Sequence, residues 1–451
     1  MDLLDHSVLP QSAHHLILLR YLLSLTFILF FLYVSIMFGL LVYSLYFRRK
    51  AEKSGEKKYK RFSKELIDLV TFNKVVAIAF GVIPLLSAVF GYAQLLHNSG
   101  LNVPEFLLLT LLILIIALFL VYIYKYTFHL KEIFRFAEEK KEDSKNETDL
   151  TEEISSYYFK TGRLHKQSGF YAVIFLTIAV YLFLSTVQLA SDTARWESGN
   201  NLFGLIFSFS ALIDFSQFIA GAFAITSALI LYLQFSPNSE VGLDANYKSF
   251  VKNFSLRSGL IATLILPFII VLNVMTREIT SLSFDFFGVV VVVLILLLLV
   301  ATIFYQMIKD PSINYSTVLI FLLVLVFLFL VIEDQLAFDN STKMQTAILV
   351  KEYDSYEKKI QEEMGVSAPI SGLDIYNGRC IACHNFDKKV VGPPYNSTMP
   401  KYEGKKDLLV KFILNPVKVN PDYPAMPNQG LKPKEAEAVA DYLLKTYKKE
   451  K

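Results

Sequence analysis

Eight runs of predominantly apolar residues punctuate this chain of 451 residues, each long enough for a helix to cross a lipid bilayer. A hydrocarbon core of about 30 Å takes roughly 20 such residues. Within it every backbone N–H and C=O must find a partner in the chain, so a helix is the form each run is driven to adopt. The runs cover residues 15–47, 69–96, 106–128, 170–190, 207–235, 258–275, 286–307 and 316–332. The first and fifth exceed a minimal span and are expected to tilt or to project beyond the lipid. With 54% of residues apolar and 19% charged, composition excludes a wholly soluble multidomain enzyme and leaves room for one small soluble domain. A net charge of +3 over this length gives no ground for a nucleic-acid partner. The expected fold class is therefore all-α, a polytopic membrane bundle of about eight helices over residues 1–334 followed by a small C-terminal domain.

Short loops rich in lysine and arginine stay in the cytoplasm. Residues 48–64 carry nine Lys or Arg and residues 131–166 carry eight, whereas the alternate connections hold none before His15, none in 97–104, and only Arg195 and Arg277 in the next two. The N-terminus is thus expected outside, and eight spans return the chain to that side, so everything after Ile332 is expected in the periplasm of a bacterial inner membrane. No basic segment precedes the first run and no small-residue cleavage site follows it, so no cleavable signal peptide is expected. EEKKEDSKNETDLTEE, within 131–166, reads as a charged cytoplasmic hairpin, a solvated loop or short helix pair without chemistry. Residues 335–368 read as a polar linker with a helix in TAILVKEYDSYEKKIQEEM, lying along the membrane or against the next domain. No internal repeat is evident.

The chain has two cysteines, Cys380 and Cys383, in the pentapeptide CIACH, so no disulfide framework is available. C-x-x-C-H attaches a c-type haem: both thiols add to the vinyl groups, and the adjacent histidine, here His384, becomes the proximal iron ligand. A zinc or thioredoxin-like site would need further ligands or a strand-to-helix setting, and neither is present. Upstream, Leu373, Ile375 and Tyr376 fall at helical spacing. Downstream, the Gly392-Pro393-Pro394 segment can lay backbone against the haem and offer a carbonyl to the second nitrogen of His384. Met426 follows His384 by 42 residues in YPAMPNQGL, ahead of a helix opened by Pro433 and apolar at Ala436, Val439, Leu443 and Leu444. Residues 369–451 carry fourteen basic and nine acidic side chains, which suits an acidic docking partner or simply a solvated surface.

Residues 369 to about 449 resemble the class I cytochrome c family. The resemblance implies that the first and last helices of the domain cross beside one covalent haem c and that a loop methionine is the distal ligand, a His/Met ligation that raises the potential for one-electron transfer. Met426 matches that methionine. Met399, also followed by proline, competes for the role but precedes the helix DLLVKFILNP and lacks the GL-x-x-x-E-A lead-in. Soluble or membrane cytochromes and other membrane respiratory subunits are the partners this implies, with the lipid bilayer around the spans.

Eight helices are more than a tether needs, and ionisable groups inside a membrane are functional candidates. Those at outer depth are His14, His15 and Arg20 on the first span, Gln94 and His97 ending the second, Glu105 opening the third, and Asp214 with Gln217 on the fifth. They read either as haem b or quinone ligands or as interfacial polar residues. His129 and His165 lie among basic residues at the inner edge, where Lys74 is expected to snorkel. SAHHLILLRYLL, AFGVIPLLSAVFGYAQL, PEFLLL and ALIDFSQFIAGAFAITSALIL occur in an order that resembles the main subunit of cytochrome bd-type quinol oxidases over about the first 235 residues. The resemblance implies that His14 or His15 matches a high-spin haem b ligand and Glu105 a glutamate near the oxygen-reducing haems. Where that family has a second ligating histidine, this chain has the region around Gln217 and no histidine. It also lacks an extended exterior quinol-binding loop and a GRQPW-like signature. Two functions follow, an electron-transfer subunit whose cofactor is haem c, or a quinol-oxidising subunit with haem b in the bundle. A transporter would want helices broken by Gly or Pro in paired halves, and beyond Pro84 and Pro267 there is little of that.

Overall fold

The structure is a computed structural model and describes residues 8–71, 73–141, 149–235, 245–310, 314–363 and 370–449. Among these residues all regular structure is helical and no strand occurs. The chain divides into two compact units, Met1–Tyr353 and Asp354–Lys451.

The first unit contains α1 (Ala13–Ser54), α2 (Lys57–Val70), α3 (Lys74–Leu95), α4 (Val103–Lys141), α5 (Asp149–Ser191), α6 (Leu202–Ile206), α7 (Phe209–Phe235), α8 (Ala245–Thr276), α9 (Phe284–Lys309), α10 (Ser316–Ser341) and the first half of α11 (Lys343–Glu363). Eight of these, α1, α3, α4, α5, α7, α8, α9 and α10, are long and apolar enough to cross a membrane. Ser12 caps α1 by accepting from the His15 amide, and Gly55 ends it in the left-handed region at φ 72°.

Four expectations change here. The second span begins at Lys74 rather than residue 69, because Asn73 accepts from the Val75 amide and starts a new helix. The basic loop before it is largely helical: α2 buries Tyr59, Phe62, Leu66 and Ile67 and turns its lysines outward. The charged segment 131–166 is in the main the continuation of α4 and α5 beyond their apolar parts, with 142–148 outside the described residues. Glu and Lys are good helix formers, and extending an existing helix avoids the nucleation step. Finally, the first unit continues past residue 334. Phe338 and Leu349 join its core, and Gln345 donates to the His97 carbonyl at 2.6 Å, so the early part of α11 lies against the bundle.

Two packed centres build the bundle. Phe27, Phe30, Tyr92 and Phe183 fill the space between α1, α3 and α5, while Ile225, Phe286, Phe304 and Leu323 join α7, α9 and α10. Lipid gives apolar side chains no reason to leave it, so close backbone approach supplies the contact. Gly39 on α1 is such a point: a Cβ there would run into Thr226 of α7.

The second unit contains α12 (Gly372–Ile375), running into a π-helical turn Tyr376–Cys380, then α13 (Tyr395–Thr398), α14 (Lys406–Leu414) and α15 (Pro433–Lys449). Gly372 sits where α12 meets α15, and a side chain there would overlap the Ala438 carbonyl oxygen. Tyr376, Leu409, Ile413, Ala436, Val439 and Leu443 are buried together beneath that contact.

Candidate functional site

The CIACH turn is held by backbone. The amides of Cys383 and His384 both donate to the Cys380 carbonyl, at 3.1 and 2.9 Å, and the Gly392 amide returns to the Cys383 carbonyl at 2.8 Å. This brings residues 391–393 across the histidine. Nδ1 of His384 lies 3.0 Å from the Pro393 carbonyl oxygen, which can only accept, so Nδ1 carries the proton and Nε2 keeps its lone pair for a metal. A Cβ on Gly392 would collide with the imidazole, so glycine is what lets the backbone pass so close. Tyr395, which sequence reasoning did not single out, stacks on His384 at 4.9 Å. Burial pushes both the Tyr395 phenol and the Cys380 thiol above their ordinary ranges.

Cys380, His384, Pro393, Met399 and Met426 line one cavity of about 280 Å³. Of the two methionines, Met399 is packed into the core at 2% exposure, whereas Met426 is half-buried in an irregular segment and also borders the cleft with Cys383 and Gly392. The Cys380 thiol, an imidazole with a directed lone pair and a thioether line this cavity, and the Cys383 thiol borders the neighbouring cleft with His384 and Met426; together they are the donor set that a covalent haem takes.

The candidates in the bundle do not form one site. His14 and His15 are exposed on the first turn of α1, and His97 is buried in the α3–α4 turn. Arg20 is used within the bundle: it pairs with Asp339, donates to Thr342 at 3.2 Å and Thr346 at 2.6 Å, and lies 5.3 Å from the Phe338 ring. Glu105 stands in the first turn of α4, where the helix dipole favours an acid. Asp214 and Gln217 do converge, both accepting from Asn273 on α8, at 2.5 and 3.0 Å. Arg277 donates to the Asn273 side-chain oxygen and pairs with Asp334 on α10. A cavity of about 60 Å³ beside them is lined by Gln188, Asp214, Gln217, Arg277 and Asp334 and by no histidine. Sequence reasoning missed Asn273, Arg277, Glu333 and Asp334. The signal was there in an arginine closing the sixth run and two acids closing the eighth, at one depth.

Two comparisons bear on the second unit. The family model described as cytochrome C oxidase, cbb3-type, subunit III matches residues 367–443. A cytochrome c-551 from Pseudomonas denitrificans is 32% identical over 79 residues, covering 16% of this chain and 95% of that protein. Through its C-terminal domain the chain belongs to the cytochrome c family. A cytochrome c domain implies haem c, and here it is joined to eight helices fit to cross a membrane, so the chain is an electron-transfer protein of the membrane.

Proposed function

We propose that this chain is a membrane-bound c-type cytochrome that serves as the electron-transfer subunit of a respiratory complex in a bacterial inner membrane, with residues 369–451 in the periplasm. Cys380 and Cys383 form the thioether links, His384 is the proximal ligand, Met426 the distal one, and Pro393 fixes the imidazole tautomer. The observation that carries this reading is the His384–Pro393 bond at the edge of a cavity bordered by Cys380 and Met426. When bound, the haem supplies one-electron chemistry, and the thioether raises its potential. The chain's own part is to hold the histidine in one tautomer, to keep water from the cavity with Leu409, Ile413 and Leu443, and to limit reorganisation.

A second reading, quinol oxidation inside the bundle with a haem b, draws on the polar cavity of Asp214, Gln217 and Arg277. One experiment separates the two. The purified full-length protein is reduced with dithionite and its pyridine haemochromes are counted. One haem c per chain and no haem b is expected, with covalent haem staining lost in C380A/C383A. Haem b at one per chain would overturn the first reading and make His14, His15 and His97 the residues to replace.

A further inference from the structure

A groove of about 840 Å³ lies on the outer surface of the bundle, between α7 and α8. Ile219, Phe223, Ile261, Ile265 and Ile269 make most of its wall, which is ordinary for a surface facing lipid. Its one charged lining residue is Arg257. That side chain is exposed and, among the described residues, has no ion-pair partner. Asn253 and Ser258 flank it with further hydrogen-bonding groups. A groove with a cation and polar groups at one end and branched aliphatics along the rest has the polarity of an amphiphile.

Length narrows the choice. Between Arg257 and Ile269 helix α8 rises roughly 18 Å at about 1.5 Å per residue. Half of a bilayer core is roughly 15 Å. The apolar part of the groove is therefore about one leaflet long, with its cation where that leaflet meets water. We propose that this groove is a binding site for an anionic phospholipid, its phosphate at Arg257 and one acyl chain along Ile261, Ile265 and Ile269. Basic pockets between membrane helices hold anionic head groups in this way. A neutral quinone has no charge to answer the guanidinium, and a phosphatidylcholine carries its own cation. In the orientation proposed above this is the cytoplasmic leaflet, whose surface is negative. The site requires neither of the two functional readings.

The test uses the full-length protein purified in detergent, incubated with phosphatidylglycerol or phosphatidylcholine and read by native mass spectrometry. Phosphatidylglycerol is expected to be retained over phosphatidylcholine. R257Q should weaken its retention about fivefold, the factor for one cationic side chain near an anionic head group, while R257K keeps most of it. I265W, which adds bulk without changing charge, should lower retention as well. Equal retention of both lipids, no change in R257Q, a quinone that copurifies and is lost in I265W, or a dimer that I265W converts to monomer would each overturn the proposal.

Discussion

At the scale of single residues the haem-attaching turn separates two methionines that look alike in sequence. Met399 lies at 2% exposure among Leu409, Val439 and Leu443, and Met426 stands half-buried at the cavity edge. They predict different losses. M426A should abolish the absorption of the thioether–iron bond and lower the midpoint potential, with little change in melting. M399A should keep that absorption and lose about 2–5 kcal/mol of domain stability, the range for emptying a core site. Optical spectroscopy and thermal melting of the two variants, side by side, reverse the assignment if the losses are exchanged. Gly392 gives a second prediction at this scale. G392A pushes a methyl into the His384 ring, so it should lower the midpoint potential or yield high-spin haem even though both thioether links still form. A wild-type redox titration and spectrum for G392A would show that the backbone does not set the imidazole.

At the scale of elements, the two ends of the cytochrome domain depend on one close contact. G372V places two methyls against the Ala438 carbonyl and should destabilise the domain by about 1–3 kcal/mol, the usual result of overpacking. Gly378 is the control: a Cβ there meets nothing within 4 Å, so G378A should be neutral or slightly stabilising. Equal melting temperatures for the two variants would remove the special role of Gly372. The pairing of these helices was only partly legible. Apolar spacing shows that α15 buries Ala436, Val439 and Leu443, but spacing cannot show that a glycine 64 positions earlier is where the partner comes closest. The membrane helices were legible for a related reason. Hydropathy reports what sits in lipid, so it found all eight spans, yet it truncated α4 and α5, whose charged ends are helical in water. CIACH was legible because its chemistry is local; Tyr395 was not, since its contact with His384 follows from a return of the chain that no short motif encodes.

At the scale of the whole bundle, residues far apart in sequence close one polar cluster at the end where α1 begins. Asp214 and Gln217 come from α7, Asn273 from α8, Arg277 from just past its end, and Asp334 from α10. Glu333, at 2% exposure, has an oxygen without a hydrogen-bond partner among the described residues. Here one guanidinium faces several carboxyl groups in a setting poor in water, so removing it leaves buried acids without compensation. Breaking a fully buried pair by deleting one partner costs about 3–5 kcal/mol, whereas deleting both is far milder; with Arg277 10% and Asp334 30% exposed, the loss here should fall below that range. R277Q should accordingly melt well below wild type in detergent, and R277Q/D334N should recover part of the loss, since the neutral amide no longer needs a cation. Because this pair lies within the first unit, the haem c spectrum should be unchanged in every variant. If R277Q melts like wild type, the cluster is hydrated enough to screen its charges. If it also shifts the haem c spectrum, Arg277 acts on the electron-transfer unit, and the bundle is more than a scaffold for it.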